Sequence, residues 1–152
     1  MLRRSSHSVF DCRYHLVFAT KRRKRALRLP EERKYCERLL RRAAEVHDLD
    51  VHAIEVDTDH VHICLGIPPQ ISVGKAVRVL KSLSARHMFM KFPYLKQLFW
   101  SSQMWSPSYF VRSVGEGVTA ETVMRYIETH EDKAAGADSV QAELFPKRKR
   151  RD

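Results

Sequence analysis

The chain has 152 residues, 43% hydrophobic and 30% charged, which suits one folded domain and excludes wholesale disorder. Lys and Arg number 28 against 18 Asp and Glu, a formal net charge of +10, and this calls for a polyanionic partner, nucleic acid before a membrane surface. Three cysteines at no metal-like spacing (Cys12, Cys36 and Cys64) indicate a reducing compartment, and charges within the first twenty residues disfavour secretion, as the lack of any run of ~20 apolar residues disfavours membrane insertion.

Residues 12–20 (CRYHLVFAT) are apolar, aromatic and β-branched and read as a first strand. The basic run Lys21-Arg22-Arg23-Lys24-Arg25 follows as a loop. Pro30 with Glu31 and Glu32 marks a helix start, since proline has no N–H to leave orphaned and acids favour the positive helix end. Tyr35, Leu39, Leu40, Ala43 and Val46 recur at helical spacing towards His47. Residues 50–57 and 60–67 read as two strands joined by a tight Asp57-Thr58-Asp59 turn. Pro68-Pro69 stops the second, and Ser72 caps a helix to about Met90 with Val73, Val77, Leu80, Leu83 and His87 along one face.

An aromatic stretch (Phe92, Tyr94, Phe99, Trp100, Trp105) leads to a last strand at 108–114. Its rings read as core and interface packing ahead of base stacking. After Gly115-Glu116-Gly117, a final helix starts at Thr119 with Glu121 in its first turn and a Val118/Val123 staple, and ends at Gly136. Residues 1–136 are expected to be the working domain, and 137–152, closing on Lys147-Arg148-Lys149-Arg150-Arg151, a flexible basic tail. The order β-α-β-β-α-β is the split βαβ pattern: an α+β, ferredoxin-like antiparallel sheet, with an additional C-terminal helix. Such a sheet carries its helices on one face and leaves the other for a site; the fold alone names no function.

Two constellations carry chemistry. Strand alternation puts His60 and His62 on one face, with Val61, Ile63 and Leu65 on the other. Their Cα atoms are about 7 Å apart, so both imidazoles can reach one metal ion if a third group closes over them. Taken alone, His-x-His also describes two histidines on a half-exposed strand, and Cys64 on the same face reads as packing. On the last helix Tyr126 and His130 are four residues apart and stack on one side, although Val123, Tyr126, Ile127 and His130 also make an ordinary amphipathic stripe.

In combination these segments resemble a known family. Tyr14-His15-Leu16-Val17-Phe18-Ala19-Thr20-Lys21, Asp59-His60-Val61-His62, Leu80-Lys81-Ser82-Leu83-Ser84-Ala85-Arg86, Leu98-Phe99-Trp100, the run from Met104 to Val111, and Tyr126-Ile127-Glu128 occur in the order and spacing of the single-tyrosine transposases of the insertion-sequence 200/605 type, which belong to the HUH nucleases. The resemblance spans residues 12–131. It implies a transposase that cleaves and rejoins single-stranded DNA by metal-assisted transesterification through a 5′-phosphotyrosine. His60 and His62 would be metal ligands and Tyr126 the nucleophile. It also implies recognition of DNA hairpins at element ends, a homodimer whose active sites can be composite, and a prokaryotic, cytoplasmic setting.

The family's third ligand is a glutamine four residues after the tyrosine, and this chain has His130 there. Either His130 ligates, which moves the preference from Mg²⁺ towards Mn²⁺, or the site is impaired. Gly115 and Gly117 are either a hinge for the tyrosine helix or a loose turn. Lys21, Arg22, Arg23, Arg78, Lys81 and Arg86 are the candidate DNA contacts, because cations that neutralise phosphates release counterions; the alternative for each is a solvated basic face. A catalytically silent or domesticated hairpin-binding module on the same fold is the rival reading. An RNA-recognition domain is disfavoured, since His60 and His62 stand where its stacking rings belong.

Overall fold

Strand alternation and helical periodicity both act within the framework expected, and the tertiary structure decides how the faces turn. The computed structural model describes residues 3–100 and 103–115. They run β1 (Arg3–Arg4), β2 (Val9–Phe10), β3 (Arg13–Ala19), a 3-10 turn (Lys21–Arg23), α1 (Pro30–Val46), β4 (Asp50–Val56), β5 (His60–Gly66), α2 (Val73–Lys91), α3 (Leu95–Leu98) and β6 (Phe110–Ser113). These elements belong to the first of two compact units, Met1–Val114; the second is Gly115–Asp152. The helix expected at 119–135, with Tyr126 and His130, lies outside the described residues, as do Gly117, the boundary at 136 and the tail at 137–152.

The main sheet has four antiparallel strands in the order β4-β5-β3-β6. This is the ferredoxin-like order, in which the first and third strands of the motif, β3 and β5, are central. The register sets Ala19 opposite His60, Val17 opposite His62 and His15 opposite Cys64. Leu16, Phe18, Val61, Ile63 and Leu65 share the other face and join Leu40, Ala43, Ala44, Val77, Leu80 and Met88 of the helices in one buried core. Each fully buried Leu, Ile, Val or Met of that set contributes on the order of 1.5–3 kcal/mol by leaving water.

Both long helices start as expected. Glu32 reaches back to accept the Leu29 N–H at 2.8 Å, with Pro30 opening α1. The Ser72 hydroxyl accepts the Lys75 N–H at 3.1 Å at the head of α2. Their buried faces keep Leu40, Ala43, Val77 and Leu80 of the expected stripes, with Tyr35, Leu39, Val73 and Leu83 partly buried against the core, but extend to one side of them. In α1 the buried residues are Glu32, Cys36, Leu40, Ala43 and Ala44, and Val46 is 61% exposed. In α2 they are Ala76, Val77, Leu80, Ser84, Met88 and Phe89. Ser84 is tolerated there because its hydroxyl donates to the Leu80 carbonyl (2.6 Å) and accepts the Trp105 indole N–H (2.9 Å).

Three short elements have no counterpart in the expected order. β1 and β2 form a small antiparallel hairpin, tied down where Arg3 pairs with Asp48 (2.8 Å) and lies over the Phe10 ring. The short α3 turns the chain between α2 and the segment at 103–109.

Candidate functional site

The His-bearing side of β5 differs from the half-exposed face expected of it. Every residue from His60 to Gly66 is buried, His60 at 8% and His62 at 4% exposure. β5 is a central strand, so its side chains are walled by those of β3 and β4. Parity nevertheless holds, and the two imidazoles meet with ring centroids 4.6 Å apart, edge to face.

His60 is oriented from the turn that precedes it. Its Nδ1 lies 2.7 Å from the Asp59 carboxylate, and the Asp57 carboxylate is 3.9 Å from its Nε2. The first contact makes Nδ1 the donor and presents Nε2 as the ring's lone pair, the arrangement usual behind metal-bound histidines. Asp59 is itself held by Arg23, whose Nε is 3.5 Å from the other carboxylate oxygen. Asp57 accepts the Thr58 N–H at 2.6 Å, and that bond leads the effects that hold its carboxyl below the usual range, with the two histidines adding to it.

A third imidazole completes the cluster. His15 of β3 is fully buried, its ring centroid 5.9 Å from that of His62. Burial lowers its pKa to about 4. For His62, burial and then the neighbouring His60 and His15 lower it to about 3. Both rings are therefore neutral near pH 7, which is the ligating form. Among the described residues, neither nitrogen of His15 nor Nδ1 of His62 has a hydrogen-bond partner. Buried polar atoms without partners are costly unless something else satisfies them.

These features suit a divalent cation on His60 and His62: two imidazoles on one face, one ring fixed by a carboxylate and the other neutral with an unsatisfied buried atom. Among the described residues no group of three or more His, Cys, Asp or Glu assembles around a cation. A cation on His60 and His62 would take any further protein donor from beyond the described residues. Cys64, whose thiol burial pushes up, stays protonated and reads as packing, as expected.

His15 had no assigned role in the sequence reading. Its parity with His62 follows only from the β3–β5 register, and the usable signal, a histidine one residue from the core position Leu16, is weak by itself. The Arg23-Asp59-His60 relay was equally hidden, because Asp59 reads as a turn residue.

The candidate DNA contacts fall into two groups. Lys21 and Arg22 line a cleft with Lys24, Phe99 and Trp100, while Arg23 turns towards Asp59. Arg78, Lys81 and Arg86 line a groove of about 620 Å³ between α2 and residues 103–109, with Trp105 and Tyr109. Arg78 and Arg86 are exposed there. Lys81 instead donates to the carbonyls of Ser106 (2.6 Å) and Ser108 (3.0 Å), and burial lowers its pKa to about 8. Two of its protons thus tie α2 to the following segment.

The aromatic stretch divides. Phe92, Phe99 and Trp105 are buried, Trp105 packing edge-on against Phe18, whereas Tyr94 is 50% and Trp100 94% exposed. None of the described helices is long and apolar enough to cross a membrane.

Comparison with known proteins gives a consistent set of likenesses. The profile of the family described as transposase, IS200 like, matches residues 8–130. The ISDra2 transposase TnpA of Deinococcus radiodurans is 37% identical over 125 residues, covering 82% of this chain and 88% of that protein. The transposase for insertion sequence element IS200 of Salmonella typhimurium is 33% identical over 130 residues, 84% of each chain. A crystal structure from Deinococcus radiodurans, assigned to the transposases, is 38% identical and superposes with a TM-score of 0.70 over 84% of this chain and 96% of that one. A REP-associated tyrosine transposase bound to a REP hairpin shares 12% identity at a TM-score of 0.55, over 87% of this chain and 74% of that one. At that identity the likeness is one of fold.

Proposed function

This chain belongs to the IS200-like transposase family, and from that premise we propose that it cleaves and rejoins single-stranded DNA at insertion-sequence ends through a 5′-phosphotyrosine on Tyr126. The observation that supports this most directly is the pair of buried imidazoles on β5, neutral at His62 and held by Asp59 at His60. His60 and His62 hold a divalent cation, Mg²⁺ or Mn²⁺, and His130 stands where the family has its third ligand. Three imidazoles favour Mn²⁺ over Mg²⁺, since nitrogen donors suit the later ion and Mg²⁺ prefers hard oxygen.

A cation held by His60 and His62 would supply Lewis-acid polarisation of the scissile phosphate. The Tyr126 phenol loses its proton as its oxygen bonds to phosphorus. The bond from phosphorus to the 3′-oxygen breaks, and that oxygen takes up a proton to leave as a 3′-hydroxyl. The phosphotyrosyl bond keeps the energy of the diester, so another 3′-hydroxyl can reseal the strand without a nucleotide cofactor. Arg23, through Asp59, keeps the His60 ring in one orientation throughout.

DNA hairpins are the proposed ligand. Net charge and the exposed Arg78 and Arg86 of the α2 groove support that reading, and the fold is one that carries a hairpin in the REP-bound relative. A homodimer with composite sites, working on DNA in a prokaryotic cytoplasm, completes the proposal.

The test is incubation of the full chain with hairpin DNA bearing element-end flanks, in Mg²⁺ or Mn²⁺. A covalent protein–DNA adduct is expected that disappears in Tyr126→Phe and in His60→Ala. Hairpin binding with no adduct in either metal refutes the enzyme and leaves a silent binding module. Equal cleavage by His130→Ala and native protein across a metal titration removes His130 from the ligand set.

A further inference from the structure

Trp100 is 94% exposed, while Trp105, five residues on, is 5% exposed. A bare indole is an unusual surface residue, and its surroundings are specific. It lines a cleft of about 330 Å³ with Lys21, Arg22, Lys24 and Phe99, a volume within the range of small-ligand sites (roughly 300–1,000 Å³). Among the described residues three cations and two rings line it, without a carboxylate.

The cleft is built rather than accidental. The Lys24 ammonium donates to the Leu98 carbonyl at 2.6 Å and lies 6.0 Å above the Phe99 ring, fastening the segment that carries Trp100 to the basic turn. Lys21 reaches the Gln103 side chain at 3.3 Å, and its backbone N–H bonds the Met104 carbonyl at 2.8 Å. Arg22 and Arg23 both take positive φ, 57° and 50°, a conformation unfavourable for residues with a Cβ. It leaves Arg22 exposed and sends Arg23 to Asp59. Since Asp59 holds His60, one short turn joins the cleft to the histidine pair.

We propose that this cleft holds one unpaired nucleotide of a DNA single strand, its base stacked on the Trp100 indole and its phosphate paired with Arg22 and Lys21. The polymer's identity rests on the transposase reading above; the subsite rests on the cleft. Stacking accepts any base, because each has a π face, while a base within a duplex has both faces covered by its neighbours. The site therefore selects unpaired strand without reading sequence.

The test compares the native full chain with Trp100→Phe, Trp100→Ala and Arg22→Gln, by fluorescence anisotropy with a labelled unpaired oligonucleotide, the same strand attached to a hairpin, and a blunt duplex without a loop. Trp100→Ala is expected to bind the unpaired strand roughly 5- to 150-fold more weakly, the loss of one base stack. Blunt-duplex affinity stays unchanged and Trp100→Phe retains most of the binding. Arg22→Gln reduces the slope of log affinity against log salt by roughly 0.7, one single-strand phosphate. Unpaired-strand affinity in Trp100→Ala within about twofold of native overturns the proposal while leaving the transposase reading intact. Native protein that binds hairpins but forms no adduct defeats the enzyme reading, and the Trp100→Ala deficit then still stands for the subsite. Concentration-dependent self-association lost in Trp100→Ala, with DNA affinity unchanged, overturns the proposal by making this surface a contact between copies of the chain.

Discussion

Lowering the pH from 7 to 5 should remove several kcal/mol of folding stability, and His15 should carry about half of the loss. The folded protein holds His15 neutral with a pKa of about 4, against about 6.5 in an unfolded chain. A depressed histidine favours folding most above the unfolded value. As pH falls through 6.5 the unfolded chain takes up protons that the native state refuses, and the contribution is spent once pH reaches the folded value. At pH 5 the proton-uptake difference for pKa values of 6.5 and 4 is worth about 2 kcal/mol. His62, lowered to about 3, adds about 2 kcal/mol by the same sum. Together they are a large part of the 5–15 kcal/mol of a typical domain.

The assay is urea unfolding followed by circular dichroism at pH 7, 6 and 5 in the presence of a chelator, for native protein and His15→Gln. Glutamine does not titrate, so the variant should lose about 2 kcal/mol less than native between pH 7 and 5, whatever its stability at pH 7. Parallel pH profiles for the two proteins, or a native profile flat over that range, refute the argument that burial of His15 opposes its charge.

Other perturbations test the packing. Leu40→Ala, at a position with no solvent exposure, should cost about 2–5 kcal/mol in chemical denaturation. Glu32→Ala removes the acceptor of both the Leu29 N–H (2.8 Å) and the Tyr94 hydroxyl (2.6 Å) at a site 2% exposed, and a loss of about 1–3 kcal/mol is expected. In Gly66→Ala the new Cβ lies 3.0 Å from the Asp50 Cβ, so a melting temperature lower by several degrees should follow. Thiol titration should find Cys12 alone reactive in the native chain. Cys36 is buried with its pKa pushed up to about 12, and Cys64 is buried with its pKa raised; both should react only after denaturant is added.

Alternation and helical periodicity belong to neighbouring residues along one chain, and they were legible without a structure. They located β3, β4, β5, β6, α1 and α2 within one or two residues, except that β6 is three residues shorter than 108–114, and they placed His60 and His62 on a common face. Pro30 with Glu31 and Glu32, and Ser72, announced the two long helices because capping is a local hydrogen-bond requirement.

Contacts between segments distant in sequence were another matter. Strand register brings His15 against His62, and a slip of one residue would have turned that ring towards the helices. Trp100 and Trp105 are alike in composition and context, yet one is bare and the other buried against Phe18 and Ser84. The relay from Arg23 through Asp59 to His60 joins a loop to a turn 36 residues away. Local geometry needs only the residue and its neighbours, whereas burial and register are settled by the whole chain packing at once, and that packing decided which rings face water and which imidazoles meet.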